Sequence, residues 1–523
     1  IYVENSLSYD RTVPVTSGFP FPKGSLSSIN NIRLLDENLN EVPADFTALA
    51  TWKDGSVKWV LVDFIADLPA NGDKIYYIEY GDNVTRSSFS SPLTITENGN
   101  DVIVDTGKLR FTLNKTEFHF LEDVWLNVNG TWKKVADSGD IIVTNETGVK
   151  FYGTNVSIKV EKYGKVRSVI KIKGSHVNGS NSCLNFTMRI YVYANQSFLR
   201  IFYTEENDLA VLNNGAGQPD CFTFDSPNHI TFEDISLVMY LNLSSLNYRV
   251  YGNGSTYNGA MSPSDDILIY QDSSGGDDWN RSDYWRHPTF RGYRIYVNNA
   301  TIEQGNRAEA WIDLYDNEKG LSIAKRYFWQ SYPSALEIEG NKIYARVMPY
   351  YYAIPFVHRV GEHKTHELFY FFHDNNTNLQ NEMASFYHPV MAWANASWYI
   401  DSGVFDYSVV YNPTNFSDYE ANNLAAVNGS TTSYTWQSNL FEIREYPDFY
   451  GWLHFGDVRV VDEDNGMGQS NLQYDFGYGM LFQAVRLARL NENWKKWFTL
   501  AEEANRHSAD VDILHVHHGD PSQ

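Results

Sequence analysis

The chain has 523 residues, 43% of them hydrophobic and 15% aromatic, so it is long enough for two to four domains and rich enough to bury a large core. No run of about eighteen apolar residues occurs, which argues against a membrane-crossing helix in this stretch. A formal charge of −23 at pH 7 argues against nucleic acid or anionic lipid as a partner.

Residues 1–9 alternate loosely around Ile1 and Val3 and predict an edge strand, or an arm that pairs with a neighbouring molecule. Residues 10–90 read as one small β unit. It contains the Gly/Pro-punctuated loop Gly18–Ser25, the Asp54-Gly55 hairpin turn feeding an apolar strand Val57–Phe64, and a last strand Ile75–Tyr80. Thr85–Pro92 reads as a linker.

From 98 to 376 short strands alternate with turns, the pattern of a large β-sandwich. Val156, Ile158 and Val160 alternate with polar residues, Tyr163-Gly164 turns, and Val166, Val169, Ile170 and Ile172 return. Arg189–Tyr193 and Phe198–Tyr203 predict a hairpin about Ala194–Gln196. The spans 205–230 and 253–283 are rich in Asn, Gly, Asp and Pro and read as long surface loops.

The stretch Phe356–Asp374 closes this region. It gathers His358, His363, His366 and His373 with Arg359, Glu362, Lys364 and Glu367, then runs into an apolar strand, Leu368–Phe372. Beyond it, 379–523 turns helical. Leu379–Tyr399 predicts a helix broken at Pro389, and Gly479–Leu490 and Asn493–His507 predict a helix pair with Asn493 as N-cap. Met480, Leu481, Ala484, Val485 and Leu487 would face Trp494, Trp497, Phe498, Leu500 and Ala501. The titratable cluster thus falls at the seam between a β and an α architecture, where clefts often form.

Asparagine usage points to an exported, glycan-bearing surface. Sequons stand at Asn83, Asn114, Asn129, Asn145, Asn155, Asn178, Asn185, Asn195, Asn242, Asn253, Asn280, Asn299, Asn375, Asn395, Asn415 and Asn428, more than the Asn, Ser and Thr content would scatter by chance. The competing reading is a turn-rich β protein that acquires such triplets incidentally. Cys183 and Cys221 either close one long loop as a disulfide or lie apart as buried thiols. The chain opens at Ile1 without Met and closes on Asp520–Gln523, as expected of a processed or partial sequence with more chain beyond Gln523.

Four stretches carry a family resemblance: Gly18–Gly24, the Trp52–Trp59 hairpin, Lys364–Leu368 and Asp510–Asp512. In this order they resemble exo-acting rhamnogalacturonan lyase-like proteins. The resemblance implies a mainly β, multidomain chain: a RIFT-type β-barrel, a central β-sandwich, and a short α-helical segment like the beginning of an α/α-toroid. Its activity would be elimination beside a uronate, which needs a cation on the carboxylate, a base for the ring proton and an acid for the leaving oxygen.

By residue type, Arg291 or Arg359 would hold the carboxylate, His366 would be the base and Tyr293 the acid. Trp285, His363, Lys364, Glu367 and Trp452 would bind carbohydrate, the indoles by stacking on sugar faces. Each has a plainer reading as an ion pair or as core packing. No Cys/His spacing marks a zinc site. Asp462–Gly466 begins like a calcium loop, but Gln473 occupies the twelfth position, leaving only a looser calcium site compatible. His515, His517 and His518 are close enough in sequence to share a metal, but a solvated chain end is the better account of them.

Two functions follow. One is an extracellular, heavily N-glycosylated structural protein of a cell-surface layer or filament, self-associating into a polymer or lattice through residues 1–9 or through the helical end of the sequence. The other is a secreted carbohydrate-active enzyme, an exo-acting polysaccharide lyase.

Overall fold

The computed structural model describes residues 1–209, 228–281, 286–405, 408–429, 439–445, 448–461, 467–469, 475–513 and 515. Trp285, Cys221, the Asp462–Gly466 stretch, His517 and His518 lie outside these residues, and with them the disulfide and calcium-loop expectations.

The first unit is built from three small antiparallel sheets. Strand Val57–Leu68 sits between Arg11–Pro20 and Ala44–Thr51, and Ile32–Leu35 sits between Glu41–Val42 and Tyr77–Tyr80. Alternation buries Val15, Phe19, Val60, Val62 and Phe64 inside, as the period-two pattern requires. The third sheet corrects the N-terminal reading. Strand Tyr2–Glu4 is neither an arm nor an edge: it pairs with Asp73–Ile75 on one side and with Met391–Trp393 on the other. Val3 is fully buried, and Ala392 joins the same core. A segment from beyond the sandwich therefore returns to complete the first unit, which no local pattern reveals.

The β-sandwich is antiparallel throughout. Its seam strand runs His363–Asp374, longer than the apolar run alone suggested, and is central. It pairs with Phe198–Glu206 on one side and Lys319–Lys325 on the other. Because successive side chains alternate, it serves two layers. Leu368, Tyr370 and Phe372 enter the main sandwich core, while Phe369 and Phe371 face outward and pack under a helix.

That helix, α1 (Leu379–Tyr387), places Leu379, Met383 and Phe386 on one stripe against Phe369 and Phe371. The chain then forms strand Met391–Trp393 and helix α2 (Ala396–Asp401), so Pro389 marks a break between separate elements. Three further helices precede the last: α3 (Ser417–Asn428), α4 (Leu440–Glu445) and α5 (Phe476–Leu487), then α6 (Trp494–His507). Helices α5 and α6 pack through Met480, Ala484, Trp497, Leu500, Ala501 and Ala504. The buried Arg486–Glu420 pair fastens α5 to α3. Asn493 stands at the N-cap position of α6, but its side chain makes no capping bond to the helix and its amide donates instead to Asn491 Oδ1.

Val3→Asp places a carboxyl in an apolar core between two strands, at a cost of about 3 kcal/mol or more. The melting temperature should fall by several degrees in calorimetry, and an unchanged transition would contradict the paired position of this strand.

Candidate functional site

Two neighbouring hollows lie where the barrel, the sandwich and the helices meet. The outer one, about 480 Å³, is lined mainly by aromatic and aliphatic groups. Trp59 comes from the barrel, Phe405 from the segment after α2, and Phe482 and Tyr478 from α5. Their rings follow one another at centroid spacings of 6.4, 5.5 and 6.1 Å, forming one wall. Trp393 and Phe498 also line the hollow. The inner cavity, about 170 Å³, is lined by Lys325, Arg326, Lys364, His366, Glu367, Arg506 and others. Arg326 lines both.

At the base sits Glu367, its side chain 1% exposed, on the outward face of the seam strand. Arg200 bonds its Oε1, Arg506 Nη2 donates to Oε2 at 2.9 Å, and Arg326 Nε stands 3.8 Å from Oε2. Glu502 completes the group, 3.5 Å from Arg326 and 3.1 Å from Arg506. Burial alone would raise the Glu367 carboxyl, yet the arginines hold it at about 2. Three guanidiniums face two carboxylates, leaving one positive charge at the floor of an aromatic hollow.

The inward face of the same strand carries a second polar group. His366 Nε2 is 2.8 Å from Glu205 Oε1, and His358 Nε2 is 3.8 Å from the same oxygen. Against the cost of burial, these two imidazoles keep Glu205 at about 2, while burial pushes His366 below its ordinary value. Lys325, opposite Leu368 in the ladder, is fully enclosed. Its ammonium donates to Ser334 Oγ at 2.6 Å, and burial followed by repulsion from Lys364 brings it down to about 7. A neutral imidazole and a readily deprotonated amine thus border one small cavity, the state proton-transfer groups require near neutral pH.

The grouping drawn from residue types is not one centre in space. Of Arg291, Tyr293, Arg359 and His366, only His366 lines the cavity. Arg291 is exposed and pairs with Asp277 at 3.0 Å. The buried Tyr293 hydroxyl donates to Glu303, and burial and that carboxylate together hold the phenol protonated. Arg359 pairs with Glu362 at 2.8 Å. Lys364 and Glu367 do line the cavity, whereas His363 stacks on His515 at 3.9 Å. Trp452 is 3% exposed and packs against Phe356 and His358, so it is core.

Sequence reasoning missed Trp59, Arg200, Lys325, Arg326, Phe482 and Arg506. One signal was available, since Trp59 ends a motif that carried the family resemblance and Gly18, from the other barrel motif, lines the same hollow. The arginines gave no signal, being joined only by strand register and helix docking.

A β-barrel leading into a large antiparallel sandwich and then a few helices is the architecture that the motif resemblance implied. Residues 5–65 match the PcRGLX-like N-terminal RIFT barrel domain, and residues 93–212 match the PcRGLX-like protein central β-sandwich domain. Uncharacterized protein YetA of Bacillus subtilis (strain 168) is 28% identical over 371 residues, covering 63% of this chain and 41% of that protein. The chain thus spans about two fifths of the length of this curated relative. Among solved structures, an α-mannosidase from Enterococcus faecalis V583 aligns over 75% of this chain and 45% of its own, with 11% identity and a TM-score of 0.39. A galactose mutarotase-like protein from Lactobacillus casei ATCC 334 aligns over 54% of this chain and 100% of its own, with 10% identity and a TM-score of 0.30. Both are distant, and neither bears on function.

Glu367→Gln keeps the shape but removes the buried counter-charge shared by Arg326 and the part-exposed Arg200 and Arg506, a loss of about 3 kcal/mol. The folded carboxyl sits at about 2, below its ordinary 4.5, so its contribution is complete above pH 4.5 and fades as pH falls toward 2. Urea unfolding should therefore show a large difference between variant and parent at pH 7 that shrinks below pH 4.5. A pH-independent difference would contradict the assignment.

Proposed function

We propose that this chain is an extracellular protein that binds acidic saccharides on a polysaccharide-lyase-like scaffold, with the aromatic hollow as its binding surface. The observation that carries this reading is the uncompensated positive charge beneath the Trp59–Phe405–Phe482–Tyr478 wall. Sugar rings present apolar faces suited to such a wall, and a uronate carboxylate suits an arginine floor, because guanidinium and carboxylate match in shape and charge. A chain of net charge −23 otherwise repels anions, which makes a local positive floor selective.

Elimination chemistry extends the reading inward. Arg200 and Arg326 would neutralise the uronate, and one of His366 and Lys325 would take the ring proton while the other, in its protonated form, gives a proton to the leaving glycosidic oxygen as its C–O bond breaks and the ring double bond forms. Arginine 200 is the better probe of binding, being one third exposed. Calorimetry with a uronate-containing oligosaccharide should show about tenfold weaker binding for Arg200→Ala, in keeping with a lost charge-assisted bond. A neutral oligosaccharide bound equally well would overturn the reading. For the chemical step, His366→Gln should lower the release of unsaturated uronate ends about a hundredfold or more while binding persists; unaltered release would remove His366 from the reaction.

A second reading, a glycan-coated building block of a surface layer or filament, is favoured by the sequons. None of the sixteen asparagines is buried; Asn129, Asn195 and Asn299 sit at turns and Asn155 at a bulge within strand Lys150–Lys162, all four with positive φ. No sequon asparagine lines the aromatic hollow or the inner cavity, so glycans at these sites leave the binding surface open. With Tyr2–Glu4 paired on both sides within the chain, association through a free N-terminal arm is no longer part of this reading. Intact-mass analysis of native protein before and after deglycosylation should show glycans on most sequons; an unmodified mass would remove this support for both the structural reading and export.

A further inference from the structure

Helix α6 ends at His507 and passes directly into a π turn, Ser508–Asp512. In an α-helix of 3.6 residues per turn, the fifth residue along lies well round the axis from the first. The wider π turn brings it back overhead, and such turns are frequent at functional sites. Here it returns Asp512 to His507, with Oδ1 3.4 Å from Nε2. A third group arrives from another direction. Asp457 Oδ1 lies 3.0 Å from the same His507 nitrogen. Gly456, at φ +104°, permits that approach: a Cβ there would stand 2.5 Å from the Glu503 carbonyl and 2.6 Å from His507 Cβ.

We propose that Asp457, His507 and Asp512 bind one divalent transition-metal ion, zinc or manganese, through one imidazole nitrogen and two carboxylate oxygens. The three donor atoms all lie within 4.8 Å of one another. Bonds of about 2.0–2.2 Å in a tetrahedron set donors about 3.3–3.6 Å apart, close to the spacings of Asp512 and Asp457 from His507. The ion replaces the proton that His507 Nε2 shares with the two carboxylates, releasing it to water, and two carboxylates with a neutral imidazole then balance the divalent charge. Asp457 and His507 are buried, whereas the Asp512 side chain is 24% exposed and gives the ion an entry path and room for water. His454 Nδ1, 3.2 Å from Asp457 Oδ2, steadies the far oxygen of that ligand. His507 Nδ1 is buried with no hydrogen-bond partner among the described residues, so the imidazole is placed through Nε2 alone. An imidazole donor argues against calcium and magnesium, which take oxygen.

The ion would pin α6 to the segment 448–458 and form part of the wall of the inner cavity, which His507 lines. This inference does not depend on saccharide binding. It is tested by stripping the full chain with a chelator, reloading with zinc or manganese, and measuring retained metal by mass spectrometry together with the melting temperature. About one equivalent should be retained and raise the melting temperature. Asp512→Asn, at a part-exposed position, should lose at least tenfold in affinity and the thermal shift with it. The histidines at the chain end could also take up metal, so His517→Ala/His518→Ala serves as a control and should keep the ion. No retained metal, equal retention by Asp512→Asn, loss only in the double histidine variant, or stabilisation by calcium and not by zinc or manganese would each overturn the proposal.

Discussion

Glu367 is the interaction on which the junction depends. One buried carboxylate receives Arg200 from the sandwich, Arg326 from the turn after its neighbouring strand, and Arg506 from the last helix. A buried charge is tolerable only with partners, so docking of α6 and the burial of the seam strand's outward face must occur together. The same group decides the electrostatics of the hollow. Because the arginines outnumber the carboxylates, the linkage that joins the domains also leaves a positive floor.

The alternating geometry of the seam strand explains why two chemistries sit so close. Glu367 points toward the helices, and Lys364 and His366 point toward the sandwich interior beside Glu205 and Lys325. Lys325 is expensive there, since desolvation lowers its affinity for a proton to about 7. A leucine or methionine would satisfy the core better. Groups held at such cost are over-represented at sites of function, and this is the physical reason to regard the inner cavity as more than a packing defect.

Much of the architecture was legible because it is local. Apolar runs such as Val57–Phe64 and Leu368–Phe372, and the apolar stripes of α5 and α6, are consequences of which surfaces must avoid water. The pairing of Tyr2–Glu4 with Met391–Trp393 was not legible, because it joins residues almost 390 positions apart and residues 391–393 read as part of a helix. For the site, the density of His, Lys and Glu in His363–Glu367 located the seam correctly. Attaching Arg291, Tyr293 and Arg359 to it failed, because each has a nearer partner, Asp277, Glu303 and Glu362 respectively. Residue type suggests what a side chain can do, and register decides what it meets.

The central claim is that the three-part junction is a receptor for an acidic sugar, with aromatic rings on one side and guanidiniums below. The most direct test is a crystal structure of the protein soaked with a uronate-containing disaccharide. The account predicts a sugar ring against Trp59 or Phe482 with its carboxylate within hydrogen-bond distance of Arg200 or Arg326. Sugar bound elsewhere, with the hollow empty at a concentration that saturates binding in solution, would contradict it.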